Sequence, residues 1–120
     1  MFVPESAKKM LLNVSRVLTE HNINHFLMQG TALGAYRDHG FCPTEKDIDI
    51  GALHECLLPK VPALIQAFIA ERYDVEIVSM PLTFPRTIVL WAEGAKCDIV
   101  GFMRHKDWRY NFGPYRPWDN

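Results

Sequence analysis

Residues 28–51, MQGTALGAYRDHGFCPTEKDIDIG, contain the succession of elements from which the fold can be predicted. This stretch begins at the end of an apolar run, His25–Gln29, which predicts a short strand. A Gly30-Thr31 turn then opens a short helix over residues 31–38. After a proline-containing loop, Asp47–Leu53 predicts a second strand. A strand, a glycine turn, a helix and another strand in this order are typical of a fold in which helices cover a sheet.

The flanking sequence adds two longer helices and three further strands. Apolar residues recur at helical spacing from about residue 5 to 21, and again from Pro59 to about Tyr73. The period then changes to that of strands, which we place at about 75–79, 86–91 and 96–103. The order α-β-α-β-α-β-β-β predicts an α/β or α+β fold with a mixed sheet flanked by helices.

Length and composition indicate a single domain over residues 1–120, in which residues 104–120 form an irregular, aromatic-rich tail. Hydrophobic residues make up 48%, charged residues 22%, and the net charge is −1, without the basic excess of a nucleic-acid-binding protein. Three cysteines in no disulfide framework favour a reduced protein. There is no signal-peptide core, and no apolar run approaches the roughly 20 residues of a membrane span. We therefore expect a cytoplasmic protein.

The two aspartates of KDIDIG are unusual in a strand that should belong to the core. Asp47 and Asp49 share one face of the strand, while Ile48 and Ile50 share the other. Such alternation also occurs at an exposed strand of an antiparallel sheet, and this purely structural explanation is the simplest alternative to a functional one. Two neighbouring carboxylates repel each other, and a divalent cation such as Mg²⁺ removes that penalty because it prefers oxygen ligands.

Two further features favour a metal and phosphate site. Asp98 in KCDIVGF is a third carboxylate inside an apolar strand, and it can complete the set of ligands. The Gly30-Thr31 turn aims backbone N–H groups and the helix dipole outward, which suits a phosphate. Gly34 permits close approach to that helix, and Arg37 supplies a planar cation for phosphate oxygens.

Residues 25–52 resemble the LicD and fukutin family of the nucleotidyltransferase superfamily. In that family G-T-x-L-G-x-x-R is followed by G-x-x-P and then by D-x-D on a strand. The matching residues of this chain are Gly30, Thr31, Leu33, Gly34, Arg37, Gly40, Pro43, Asp47 and Asp49. The later segment CDIVGF is similar to the V-D-I-F segment of the family, which places Asp98.

The resemblance implies a nucleotidyltransferase fold and a phosphotransferase that depends on Mg²⁺ or Mn²⁺. The expected reaction moves a phospho-alcohol, such as phosphocholine, from a CDP-linked donor to a hydroxyl of a glycan or another acceptor. Asp47 and Asp49 carry over as catalytic metal ligands, and Asp98 joins them. Two alternatives stay open: a minimal nucleotidyltransferase that transfers NMP from an NTP to a protein or small molecule, and a non-catalytic nucleotide-binding remnant.

A second constellation suggests a different metal. His39, Cys42, His54 and Cys56 form an H-x-x-C…H-x-C pattern of zinc-ligating residue types. Its spacing matches no zinc module, so we regard zinc as the weaker hypothesis.

Overall fold

The computed structural model describes residues 3–28, 31, 34, 47–78, 87–105 and 108–111. Within these ranges six strands form one sheet: β1 His25–Leu27, β2 Ile48–Leu53, β3 Asp74–Val78, β4 Thr87–Ala92, β5 Ala95–His105 and β6 Trp108–Asn111. The strand order is β1-β2-β5-β4-β3, and β6 pairs with the far end of β5. Only the β2–β5 pair is parallel among the described strands, so the mixed sheet predicted from the sequence is confirmed.

The helices lie between these strands in the chain. They are α1 Pro4–Glu20, α2 His54–Leu57 and α3 Val61–Ala70, with a 3₁₀ turn at Leu58–Lys60. Thr31 and Gly34 are helical as well, as the sequence predicts for TALGAYRD. In the described part of the chain, every helix is too short or too polar to cross a membrane.

The hydrophobic core lies on one face of the sheet, where the helices cover it. Alternate strand residues point to this face, among them Ile48, Ile50, Ile88, Leu90, Cys97 and Ile99, all fully buried. Helix α1 contributes the stripe Ala7, Met10, Val14, Val17 and Leu18, and α3 contributes Val61, Leu64 and Phe68. Apolar residues at helical spacing therefore meet apolar residues at strand spacing. The opposite face of the sheet is left to carry polar chemistry.

Two elements differ from the sequence prediction. The helix expected from Pro59 begins with a separate turn of helix, α2, and a 3₁₀ turn before α3. The predicted irregular tail at 104–120 needs correction at Trp108–Asn111, which form β6. The physical reason is that β5 runs on to His105 and offers unpaired backbone groups, and the chain returns to pair with them in register.

Gly51 on β2 leaves room for an aromatic side chain from the neighbouring strand. It is the register partner of Phe26, and a Cβ atom added there would lie 2.5 Å from Phe26 Cε2. The Phe26 ring in turn lies 5.5 Å from the ring of Phe102, centroid to centroid. The Phe26 ring of β1 therefore lies over Gly51 of β2 and contacts the Phe102 ring of β5. This packing joins three strands on the face opposite the helices.

We expect Gly51→Ala to destabilise the fold by about 1 kcal/mol, because the new methyl group displaces the Phe26 ring from Phe102. In a Phe26→Ala background the clash is gone, and Gly51→Ala should become neutral or stabilising because alanine costs less chain entropy in a strand. Urea unfolding of the four proteins measures this coupling. Equal effects of Gly51→Ala in both backgrounds would contradict the ring-over-glycine packing.

Candidate active site

The first two acidic residues of the site meet at the centre of the sheet. Asp49 on β2 is the register partner of Asp98 on β5, and the two strands run parallel. Their neighbours Ile48 and Cys97 pair on the core face, so the two carboxylates share the opposite face. Asp49 is only 8% exposed. The structure thus brings together two of the three aspartates that the sequence singled out, from positions 49 residues apart in the chain.

Asp47 precedes β2 and lies near the same point. Lys96 Nζ is 3.7 Å from Asp47 Oδ2 and 3.7 Å from Asp98 Oδ1, so one ammonium links the two carboxylates. Both distances exceed hydrogen-bonding range, and the contacts are therefore ion pairs. Asp98 is thus the register partner of Asp49 and shares Lys96 with Asp47.

Asp98 has an unsatisfied oxygen at this place. Its Oδ1 is buried and finds no hydrogen-bond donor in the described part of the chain. Burial raises the pKa of the Asp98 carboxyl, and the charge of Asp47 raises it further, while Lys96 acts in the opposite direction. A buried carboxylate oxygen without a donor is costly, and a bound cation would remove that cost.

Lys96 was missed by the sequence prediction. It stands two residues before Asp98, so both lie on the same face of β5. Its Nζ also lies 5.0 Å from the centroid of the Trp91 ring, and Trp91 on β4 is its register partner. The available signal was the K-x-D spacing, which places a cation beside the third acid.

Thr31 has a different environment from the one expected of a phosphate ligand. The backbone N–H of Asp49 donates to Thr31 Oγ1 at 2.9 Å, and Thr31 Oγ1 lies 3.5 Å from the carbonyl oxygen of Asp47. The residue is 2% exposed. Its hydroxyl therefore holds the backbone on both sides of Ile48, which fixes the segment that carries Asp47 and Asp49.

The remaining residues predicted to bind phosphate are only partly visible. Gly34 is helical and buried. Gly30 and Arg37 lie outside the described residues. Their predicted roles at the phosphate stay predictions.

Cys97 lies directly behind the acidic cluster, on the core face. It is fully buried, and burial raises the pKa of its thiol well above the usual range, with further contributions from Asp98, Asp49 and Asp47. A thiol in this position stays protonated and serves as a small core residue rather than a nucleophile.

The chemistry of these side chains fits a hard divalent cation. Mg²⁺ and Mn²⁺ take oxygen ligands, and Asp47, Asp49 and Asp98 offer carboxylates on one face, one of them with a buried oxygen that needs a partner. Over the described ranges, no three His, Cys, Asp or Glu side chains already surround a common point where a metal ion would sit. Lys96 instead lies between Asp47 and Asp98.

The alternative zinc pattern is only half visible. His54 and Cys56 both lie on α2, but His54 is buried whereas Cys56 is exposed. Residues two apart on a helix do not share a face. His39 and Cys42 lie outside the described residues.

Comparison with known proteins adds a family to this geometry. The model of the family described as LicD/FKTN/FKRP, nucleotidyltransferase domain, matches residues 22–80. That range contains Thr31, Asp47 and Asp49 and ends before Lys96 and Asp98.

Two curated relatives are similar over a shorter segment. They are the uncharacterized proteins RP689 of Rickettsia prowazekii and RT0683 of Rickettsia typhi, each 38% identical to this chain over 50 residues. The match covers 42% of this chain but only 19% and 16% of those proteins, so the chain spans less than a fifth of their length. The family match and the sheet that carries the D-x-D segment agree with each other. Through residues 22–80, this chain therefore belongs to the LicD/FKTN/FKRP nucleotidyltransferase family.

Proposed function

We propose that this domain is a metal-dependent phosphotransferase that moves a phospho-alcohol, such as phosphocholine, from a CDP-linked donor to a hydroxyl of a glycan or a similar acceptor. Membership of the family indicates a phosphotransferase-type activity. The donor, the acceptor, the requirement for Mg²⁺ or Mn²⁺ and a cytoplasmic location are our proposals.

The observation that carries the proposal is the register of β2 and β5. It places Asp49 opposite Asp98 on the face away from the helices, beside Asp47. A merely exposed strand would not explain why Asp49 is buried or why Asp98 keeps a buried oxygen without a donor among the described residues. Buried carboxylates that repel each other destabilise a fold, and a functional site is the usual reason for them.

The three acidic residues have two kinds of role in the proposed reaction. A divalent cation would neutralise the donor phosphates and align the attacking and leaving oxygens. Asp47, just before β2, and Asp49, on β2, would hold that cation from a segment whose backbone Thr31 fixes. Asp98 would either join them as a ligand or accept the proton of the attacking hydroxyl at Oδ1, since its raised pKa suits a general base.

The second enzymatic possibility is the transfer of NMP from an NTP to a protein or small molecule, which needs the same acidic residues. The third is a nucleotide-binding remnant without activity. The three aspartates and the buried, unsatisfied oxygen of Asp98 argue against a remnant. They lower the stability of the fold, and a domain without activity would gain nothing in return.

The experiment that tests the proposal measures binding first and products second. Calorimetry with CDP-choline, CTP and ATP, each with Mg²⁺ and with EDTA, should give Mg²⁺-dependent binding of CDP-choline. Phosphorus NMR with glycan acceptors should then detect CMP and a new phosphodiester. Release of pyrophosphate from CTP or ATP would instead identify a nucleotidyltransferase. Failure of all three nucleotides to bind in Mg²⁺ would contradict both enzymatic proposals.

A further inference from the structure

The side chain of Lys96 lies where two acidic residues of the site would share a cation. Its Nζ is equally distant, at 3.7 Å, from Asp47 Oδ2 and Asp98 Oδ1. Neither contact is short enough for a hydrogen bond, so charge rather than a directed bond holds the ammonium there. An ammonium is a compact point charge with strong hydration, and it resembles a metal ion in this respect more than a guanidinium does.

The position of Lys96 is set by its strand and by its neighbour. Its register partner Trp91 presents a ring whose centroid is 5.0 Å from Nζ, a distance at which the face of the ring attracts a cation. The side chain of Lys96 is 27% exposed, so it is neither freely solvated nor locked in the core. The ammonium can therefore reach solvent without leaving a void in the core.

We propose that Lys96 is a resident cation of the acidic cluster, which a divalent metal ion must displace from Asp47 and Asp98 before it can bind. The inference rests on the proposed function in one respect, namely that these two aspartates bind a metal ion. It goes further because it assigns to Lys96 the control of metal affinity. In the metal-free domain the ammonium reduces the repulsion between the carboxylates. Once a metal ion is present the same positive charge opposes it.

Two effects of opposite sign follow from this competition. Lys96→Met removes the charge but keeps a side chain that can pack on Trp91. In EDTA the variant should melt at a lower temperature than the native domain, because Asp47 and Asp98 lose the ammonium that they share. Its affinity for Mn²⁺, measured without any nucleotide, should rise by about tenfold, because the like charge beside the metal ion is gone.

The test uses Mn²⁺ itself as the probe, in calorimetry and in thermal melting at low ionic strength. Lys96→Arg keeps the positive charge and should stay within about twofold of the native affinity, which separates charge from packing. Lys9→Met, on the exposed face of α1, changes the net charge equally and should leave Mn²⁺ affinity unchanged.

The outcomes separate this inference from the proposed function. Tighter Mn²⁺ binding by Lys96→Met, with native-like binding by Lys96→Arg and Lys9→Met, supports the resident cation. Equal Mn²⁺ affinity of the native domain and Lys96→Met overturns it and leaves the metal site in place. Weaker binding by Lys96→Met overturns it as well. If neither protein binds Mn²⁺, both the metal site and the competition are wrong.

Discussion

Asp49→Asn is expected to lower the rate of the proposed phospho-alcohol transfer by about 10³-fold or more and to leave the domain folded. A metal ion at the proposed site would supply several kcal/mol of charge stabilisation to the transferring phosphate, and each factor of ten in rate corresponds to about 1.4 kcal/mol. Asparagine keeps the shape of the side chain and one acceptor oxygen but loses the charge that holds the cation. Asp47→Asn should have the same character, because Asp47 directly precedes β2 and shares Lys96 with Asp98.

The loss of activity should come without a loss of stability. Asp49 is buried opposite Asp98, so a neutral side chain relieves repulsion between the two carboxylates. We expect the melting temperature of Asp49→Asn in EDTA to equal or exceed that of the native domain. Asp74→Asn is the matched control, because Asp74 is exposed on β3, two strands from β5, and should keep full activity. Native activity of Asp49→Asn at saturating Mg²⁺ would contradict the proposed metal site.

The sequence predicted the elements of this site better than their arrangement. The alternation of Asp47, Ile48 and Asp49 follows from local geometry alone, because successive side chains of a strand face opposite sides. The parallel register of Asp49 with Asp98 depends instead on how β5 is placed between β2 and β4, which no local pattern states. The sequence could therefore nominate three aspartates but could not show that two of them are direct neighbours.

Lys96 and β6 are two features that local sequence patterns did not predict. Lys96 reads as an ordinary charged residue at the start of a strand, and only the pairing of β5 with its neighbours places it beside Asp47 and over Trp91. The strand at Trp108–Asn111 depends on its pairing with β5, since an isolated strand has no backbone partner for its N–H and C=O groups. Contacts between distant parts of the chain decide both features.

Thr31 shows how a residue of a predicted binding motif can have a structural role. The Gly-Thr turn was expected to bind phosphate, and the backbone N–H groups that follow Gly30 keep that predicted role. The hydroxyl of Thr31, however, is buried and accepts the N–H of Asp49, 18 residues further along the chain. It ties Thr31 to the backbone segment that carries Asp47 and Asp49, the proposed metal ligands.

Thr31→Val should therefore destabilise the domain and also weaken the proposed metal site. Valine matches the shape of threonine but leaves the buried N–H of Asp49 without its acceptor, which costs about 1–3 kcal/mol in the free energy of unfolding. Because that bond positions the D-x-D backbone, we expect Mn²⁺ affinity to fall by about tenfold even at temperatures where the variant is fully folded. Urea unfolding and Mn²⁺ calorimetry on the same samples measure the two effects.

Thr31→Ser is the decisive comparison for this role. Serine restores the hydroxyl without the methyl group, so it should recover Mn²⁺ affinity almost completely even if packing around the lost methyl costs some stability. Thr19→Val, at an exposed position of α1, should change neither quantity. If Thr31→Val bound Mn²⁺ as tightly as the native domain and lost only affinity for CDP-choline, the hydroxyl would act on the donor phosphate, and the strand-positioning role would be wrong. A loss of Mn²⁺ affinity that serine reverses has its simplest physical cause in the 2.9 Å bond from Asp49, because no other described contact of Thr31 depends on the hydroxyl as an acceptor.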